Sequence, residues 1–185
     1  MIYMNHIILI GPPNSGKTTL GKRAAEAMDI SFYDTDEMVT DKIELGHPIN
    51  LFRPSFQQRF YEGQIDVIVD LAMLKVPAII ATGAEVPLIP QCALILRQMG
   101  TVIFIKRDMQ LLLAGLSKRT HRFILKEKKS GLEIDMSAKA VEEYVKETKN
   151  YEKMAHEIFE NNGDEESAVV EFTEFLKGLY SGQPS

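Results

Sequence analysis

The sequence predicts an α/β fold, a parallel sheet covered by helices on both faces. Three observations predict it. Apolar runs of strand length alternate with helical patterns along the chain. A glycine-rich segment, Gly11-Pro-Pro-Asn-Ser-Gly-Lys-Thr18, lies between the first apolar run and the first helical pattern. The length, 185 residues, suits one compact α/β domain rather than two.

Taken in order, Ile7–Ile10 is the first strand and Lys17–Met28 the first helix. Ser31–Tyr33 is a short second strand, and Asp36–Leu45 a helix that Asp36 would cap. A longer helix falls within Pro54–Leu74 and a third strand at Ala78–Thr82. Leu88–Met99 reads as a helix closed by Gly100, and Thr101–Lys106 as the fourth strand. Helices follow at Met109–Lys118, after Asp108 as N-cap, and at Ala138–His156, after Ser137. Glu157–Phe159 is a weak fifth strand, and Glu165–Tyr180 the last helix. The domain is expected to span 1–180, with a flexible tail at 181–185.

The chemistry concentrates in the glycine-rich segment. Its pattern, G-x-x-x-x-G-K-[ST], occurs by chance in roughly one chain of this length in a hundred, and here it stands in the strand–loop–helix context that the function needs. The glycines let successive N–H groups face one anion, and the following helix adds its positive end. Gly11, Pro13, Asn14, Ser15, Gly16, Lys17, Thr18 and Thr19 are therefore candidate nucleotide contacts. Lys17 would reach the β- and γ-phosphates and the Thr18 hydroxyl would ligate Mg2+. After the second strand comes Asp34-Thr35-Asp36. Asp34 would hold Mg2+ through its water shell, and Asp36 would orient, or take a proton from, an attacking hydroxyl. The other reading of Asp36, a helix N-cap, is compatible with this.

Composition excludes several classes. Hydrophobic content of 45% and charged content of 25% are those of an ordinary globule. A net charge of −5 gives no general nucleic-acid binder. No apolar run reaches membrane-spanning length, and the N-terminal one is too short and lacks the basic flank of a signal peptide. The single cysteine, Cys92, excludes an internal disulfide, fits a cytoplasmic setting and reads as a core residue. A monomer is expected. The histidines, His6, His47, His121 and His156, show no metal spacing; His156 is expected near a helix end, where its charge would favour the dipole. The polar and early basic segment 119–135 is long for a connector and reads as a lid or as a solvated loop. A lid would exclude water from the transferring phosphoryl group.

Together these residues resemble the shikimate kinases, of the nucleoside-monophosphate-kinase-like P-loop fold. The resemblance covers nearly the whole chain. The phosphate loop, Asp34-Thr35-Asp36, the strand end Ile80-Ala81-Thr82-Gly83, Arg122 in Arg-Phe-Ile-Leu, Tyr151-Glu-Lys-Met-Ala155 and Asn161-Asn162-Gly163-Asp164 match the family in order and spacing. The resemblance implies a three-layer α/β/α architecture with a five-stranded parallel sheet and a lid, and transfer of phosphate from ATP with Mg2+ to a ring hydroxyl. It implies Arg122 as a cation on the transferring group and Asn162 near the adenine. The implied partner is a small hydroxy acid or polyol, shikimate first, with no nucleic acid and no membrane.

The acceptor side departs from the family pattern. A Gly-Gly-Gly turn becomes Gly83-Ala84-Glu85. The arginine of the family's helical Phe-Arg-x-x-Glu is Tyr61 if no gap is allowed, or Arg59 if Arg59-x-x-Glu62 is aligned; the second is preferred, because Glu62 would orient a bidentate guanidinium. Arg59, Gly83, Ala84 and Glu85 join Asp36 as expected acceptor contacts. The late arginine is Glu147, flanked by Lys146 and Lys149, and the arginine that stacks on adenine is Gly115, which leaves Lys118 or Arg119 to cover the base. These changes support other readings too: a kinase for a different polyol, to which Gly46-His47-Pro48-Ile49-Asn50 adds a loose likeness to gluconate kinases, or a nucleotide-binding regulatory protein without an acceptor site.

Overall fold

The computed structural model describes residues 6–43, 54–112 and 146–181. The expected lid at 119–135, with Arg119 and Arg122, lies outside these residues, as do Gly115, Lys118, Ser137, His47, His121 and the tail beyond 181. The elements run β1 (His6–Ile10), α1 (Lys17–Met28), β2 (Ser31–Asp34), α2 (Thr35–Ile43), α3 (Pro54–Ala72), β3 (Ala78–Ala81), α4 (Pro90–Met99) and β4 (Gly100–Lys106). A helix at 146–154, here α5, precedes β5 (Glu157–Glu160) and α6 (Glu165–Ser181).

The five strands form one sheet in the order β2-β3-β1-β4-β5, every pair parallel. In β1, Ile8 sits between Ile80 of β3 and Val102 of β4. All of β1 is buried, as a central parallel strand with both faces covered must be. Alternate residues feed two separate cores. Ile8, Ile10, Ile80, Val102 and Phe104 pack with Val39, Ile68, Leu71, Leu96 and Tyr151 beneath α2–α5. Ile7, Leu9, Ile79, Ile103 and Ile105 pack with Leu20, Ala24, Phe172 and Leu176 beneath α1 and α6. This is the expected three-layer α/β/α architecture. Cys92 is buried in the first core, as expected.

Three local expectations are corrected. β2 runs on to Asp34, and α2 starts at Thr35, one residue before Asp36. Asp34 Oδ1 accepts the Asp36 N–H at 3.0 Å, so Asp34 caps α2 and the Asp36 side chain is released from that task. A 3-10 turn at Val86–Leu88 precedes α4, which starts at Pro90 rather than Leu88; proline keeps Ile89 extended (φ −80°, ψ 117°). His156 lies beyond α5, not in it: its Nδ1 accepts the Val102 N–H at 2.9 Å and its own N–H donates to Val102 O. It continues the β4 ladder, and burial, with Arg97 nearby, lowers its pKa, which disfavours the expected dipole-facing cation.

Candidate active site

The segment leaving β1 is bent by three residues with positive φ: Gly11 at 144°, Asn14 at 62° and Gly16 at 100°. Gly16 is the N-cap of α1 and supplies no side chain to its N–H groups. A Cβ there would collide with the Asn161 amide, so the loop needs glycine for space as well as for φ. Ser15 Oγ and Asn14 Nδ2 are buried and have no hydrogen-bond partner among the described residues. Buried donors of this kind usually have a partner, and an anion would satisfy both.

Lys17 is buried, and its Nζ donates to Gly11 O at 2.8 Å and Pro12 O at 2.9 Å. Burial pulls its pKa from 10.5 to about 8, against the opposing pull of Asp36 and Asp34. Thr18 Oγ1 donates to Asp34 Oδ2 at 2.7 Å, which places a hydroxyl and a carboxylate from two elements side by side. These are hard oxygen donors of the kind magnesium takes together with phosphate and water. The described residues hold no cluster of three or more His, Cys, Asp or Glu able to bind a metal by itself.

These groups line a cavity of about 440 Å3. Its phosphate side holds Pro13, Asn14, Gly16, Lys17, Thr18 and Thr19; its far side holds Asp36 from α2, Thr82, Gly83, Ala84 and Glu85 from the turn after β3, and Phe60 and Gln64 from α3. The Asp36 carboxylate lies directly over Gly83, where any Cβ would collide with its Oδ1. Burial raises the Asp36 pKa, Asp34 and Glu85 add to the rise, and Lys17 opposes it. The turn after β3 is tied down: Gly83 N–H donates to Thr35 Oγ1 at 2.8 Å, and the buried Tyr151 hydroxyl donates to Ala84 O at 2.9 Å.

The structure thus brings the expected Lys17, Thr18, Asp34, Asp36, Gly83, Ala84 and Glu85 together around one cavity. It does not bring Arg59: its Nη2 points to Ile43 O at 3.4 Å, and it is absent from the described lining. Phe60 and Gln64 face the cavity instead, one helical turn apart, which favours the ungapped alignment with Tyr61 and Gln64 in place of the family's arginine and glutamate. Gln64 was missed by sequence reasoning, although a polar residue on the buried stripe with Val67, Ile68 and Leu71 was a usable signal. Asn162 has a structural bond, its Oδ1 accepting the Asp108 N–H at 2.8 Å. Its neighbour Asn161, buried, donates from Nδ2 to Ser15 O at 2.7 Å and ties β5 to the phosphate loop.

Comparison with known proteins agrees with this geometry. A family model described as SKI, shikimate kinase, matches residues 13–177. The shikimate kinases of Francisella tularensis subsp. novicida (strain U112) and Francisella philomiragia subsp. philomiragia are each 28% identical to this chain over 165 residues, covering 88% of it and 89% of each relative. The structure of shikimate kinase from Acinetobacter baumannii in complex with shikimate superposes with a TM-score of 0.77 at 23% identity, over 98% of this chain and 96% of that one. Shikimate kinase from Aquifex aeolicus gives 0.74 at 23% identity, over 96% and 99%. A gluconokinase from Sinorhizobium meliloti gives 0.56 at 14% identity, over 98% and 99%, a likeness of fold alone. No described helix is long and apolar enough to cross a membrane. The family match runs from the phosphate loop into α6, and the chain belongs to the shikimate kinase family, phosphotransferases that act on an alcohol group.

Proposed function

We propose that this protein transfers the γ-phosphoryl group of ATP to a ring hydroxyl of shikimate, with Mg2+ as the metal. One observation carries the reading: the phosphate loop, the Thr18–Asp34 pair and the Asp36 carboxylate over Gly83 line a single cavity. The loop N–H groups, Ser15 Oγ and Asn14 Nδ2 would hold the phosphates, and Lys17 would leave its carbonyl partners to neutralise the charge of the transferring group. Thr18 and Asp34 would hold magnesium, which when bound would supply neutralisation of the triphosphate charge. Asp36 receives the acceptor hydroxyl by hydrogen bond and takes its proton as the new O–P bond forms and the bond to ADP breaks. Positioning and electrostatics carry such a reaction, so a pocket fixed on strand ends suits it. Arg119, Arg122 and Asn162 remain proposed contacts of the nucleotide and the transferring phosphoryl group, and Gly83, Ala84 and Glu85 of the acceptor. Arg59 is not carried forward as one.

The test is ADP release with and without shikimate. Shikimate-dependent release that falls at least about a hundredfold in Asp36→Asn is expected. Folded, ATP-binding protein that shows no shikimate-dependent release would sink this acceptor.

A further inference from the structure

Glu85 stands in the acceptor half of the cavity on a backbone that cannot retreat. The Gly83 N–H is held by Thr35 Oγ1 at 2.8 Å, and Ala84 O by the Tyr151 hydroxyl at 2.9 Å. The Val86 N–H donates to Gly83 O at 3.2 Å, and the Leu88 N–H to Glu85 O at 2.9 Å. Tyr151, which anchors the turn, is wholly buried. The Glu85 side chain is exposed, lines the cavity beside Asp36 and has no hydrogen bond or ion pair among the described residues. The facing wall is neutral, Phe60 and Gln64. Among the described lining residues Lys17 is the one cation, and it belongs to the phosphate loop. Arg59, next to Phe60 in sequence, is turned to Ile43 O.

We propose that Glu85 is a specificity-determining residue: this wall reads the acceptor's hydroxyls by accepting their hydrogen bonds, and penalises a negative charge placed against it. The inference rests on the phosphotransfer reading above and deepens it. A polyhydroxy acid is held by its hydroxyls toward Glu85 and Asp36, and its carboxylate is destabilised because the cavity keeps it within reach of the Glu85 charge. A carboxylate held against Glu85 would suffer like-charge repulsion in a partly desolvated site. Gln64 can pair with a hydroxyl as donor or as acceptor, whereas it offers a carboxylate no charge.

The test compares shikimate with its methyl ester, which keeps the hydroxyls and lacks the charge, in the full chain and in Glu85→Gln. Two quantities are read: kcat/KM with ATP, and calorimetric affinity with a non-hydrolysable ATP analogue bound. The expected result is a rise of about tenfold in the shikimate-to-ester ratio on substitution, with turnover of the ester itself lowered, because its hydroxyls lose a charged hydrogen-bond acceptor. A ratio that stays put or falls overturns the proposal, as does an ester rejected more than a hundredfold by the unsubstituted protein, the mark of a cationic clasp. Glu85→Ala must move the ratio the same way. If ATP is bound but neither compound is turned over, the phosphotransfer reading fails while the affinity ratio still decides this one. If neither compound is bound by either protein, both fail.

Discussion

The phosphate end of the cavity comes from one continuous segment, Gly11–Thr18, with Asp34 beside it, whereas the acceptor end draws on α2, α3, the turn after β3 and the support of α5. In the proposed reading the first end would recognise its ligand mainly with backbone N–H groups, whose direction is set by a few φ angles. The second would recognise with side chains, whose direction depends on how separate elements pack. Substitutions in the first end break a local conformation. Substitutions in the second leave the fold in place and change what is bound. The two ends therefore differ in how freely sequence can drift without loss of the fold, and the departures of this chain from its family cluster at the acceptor end, with Gly115 a further one on the adenine side.

The largest contrast is expected from Lys17→Met. Turnover falls about a thousandfold or more, because the charge on the transferring group loses its cation. Stability of the ligand-free protein moves the other way. Burial holds Lys17 at about 8 rather than 10.5. Between those values the unfolded chain binds more protons than the native one, so ligand-free stability rises with pH through that window, and below it the buried charge is a full burden. The substitution removes that burden, about 3 kcal/mol at 1.36 kcal/mol per unit, less the two hydrogen bonds lost. Rates and thermal melts check it, with a higher ligand-free melting temperature at pH 7 and no further gain from ATP. A melting temperature that falls would break the comparison.

Gly83→Ala should strike the other end. Its Cβ meets Asp36 Oδ1, so the carboxylate must move, and kcat is expected to fall about a hundredfold. ATP affinity, measured by calorimetry, should change less than threefold, because the phosphate loop is untouched. Equal losses in both readings would show that the two ends are not separable.

Next comes pH. Since the Asp36 pKa is raised by burial and by Asp34 and Glu85, its base form is complete only above the ordinary aspartate range. The acid limb of kcat/KM should lie at correspondingly higher pH, and Glu85→Gln should shift it to lower pH. A limb that stays or rises would deny the coupling. The smallest effect is expected from Tyr151→Phe, which removes the bond to Ala84 O. A loss of about 1 kcal/mol in stability and a several-fold rise in KM for the acceptor are expected, with KM for ATP unchanged.

Much of the fold was legible because each strand carries its own signal. Ile7–Ile10, Ala78–Thr82 and Thr101–Lys106 are apolar runs, and the observed strands differ from them by a residue or two. The misread points depended on partners far along the chain. Asp34, not Asp36, caps α2 because β2 runs one residue further in pairing with β3, Asp34 opposite Ala81. His156 looks like a helix end in sequence and is a rung beside Val102 in space, across 54 residues. Arg59 satisfied a spacing argument, yet the face that α3 turns to the cavity carries Phe60 and Gln64. A helical spacing states which residues share a face but not which face meets the pocket.

By itself the sequence determined the parallel α/β fold, the phosphate loop and the expectation that Thr18 and an aspartate just after the second strand serve one magnesium ion. Those features follow from local periodicity, from glycine's backbone freedom and from the short reach between neighbouring strand ends. Only the tertiary structure decided which side chains form the acceptor wall, that Asp36 lies over Gly83, and that the turn before Glu85 is tied to Tyr151 through Ala84 O. Those features arise where segments dozens of residues apart pack together, and the direction of a side chain there is set by its neighbours in space rather than in sequence.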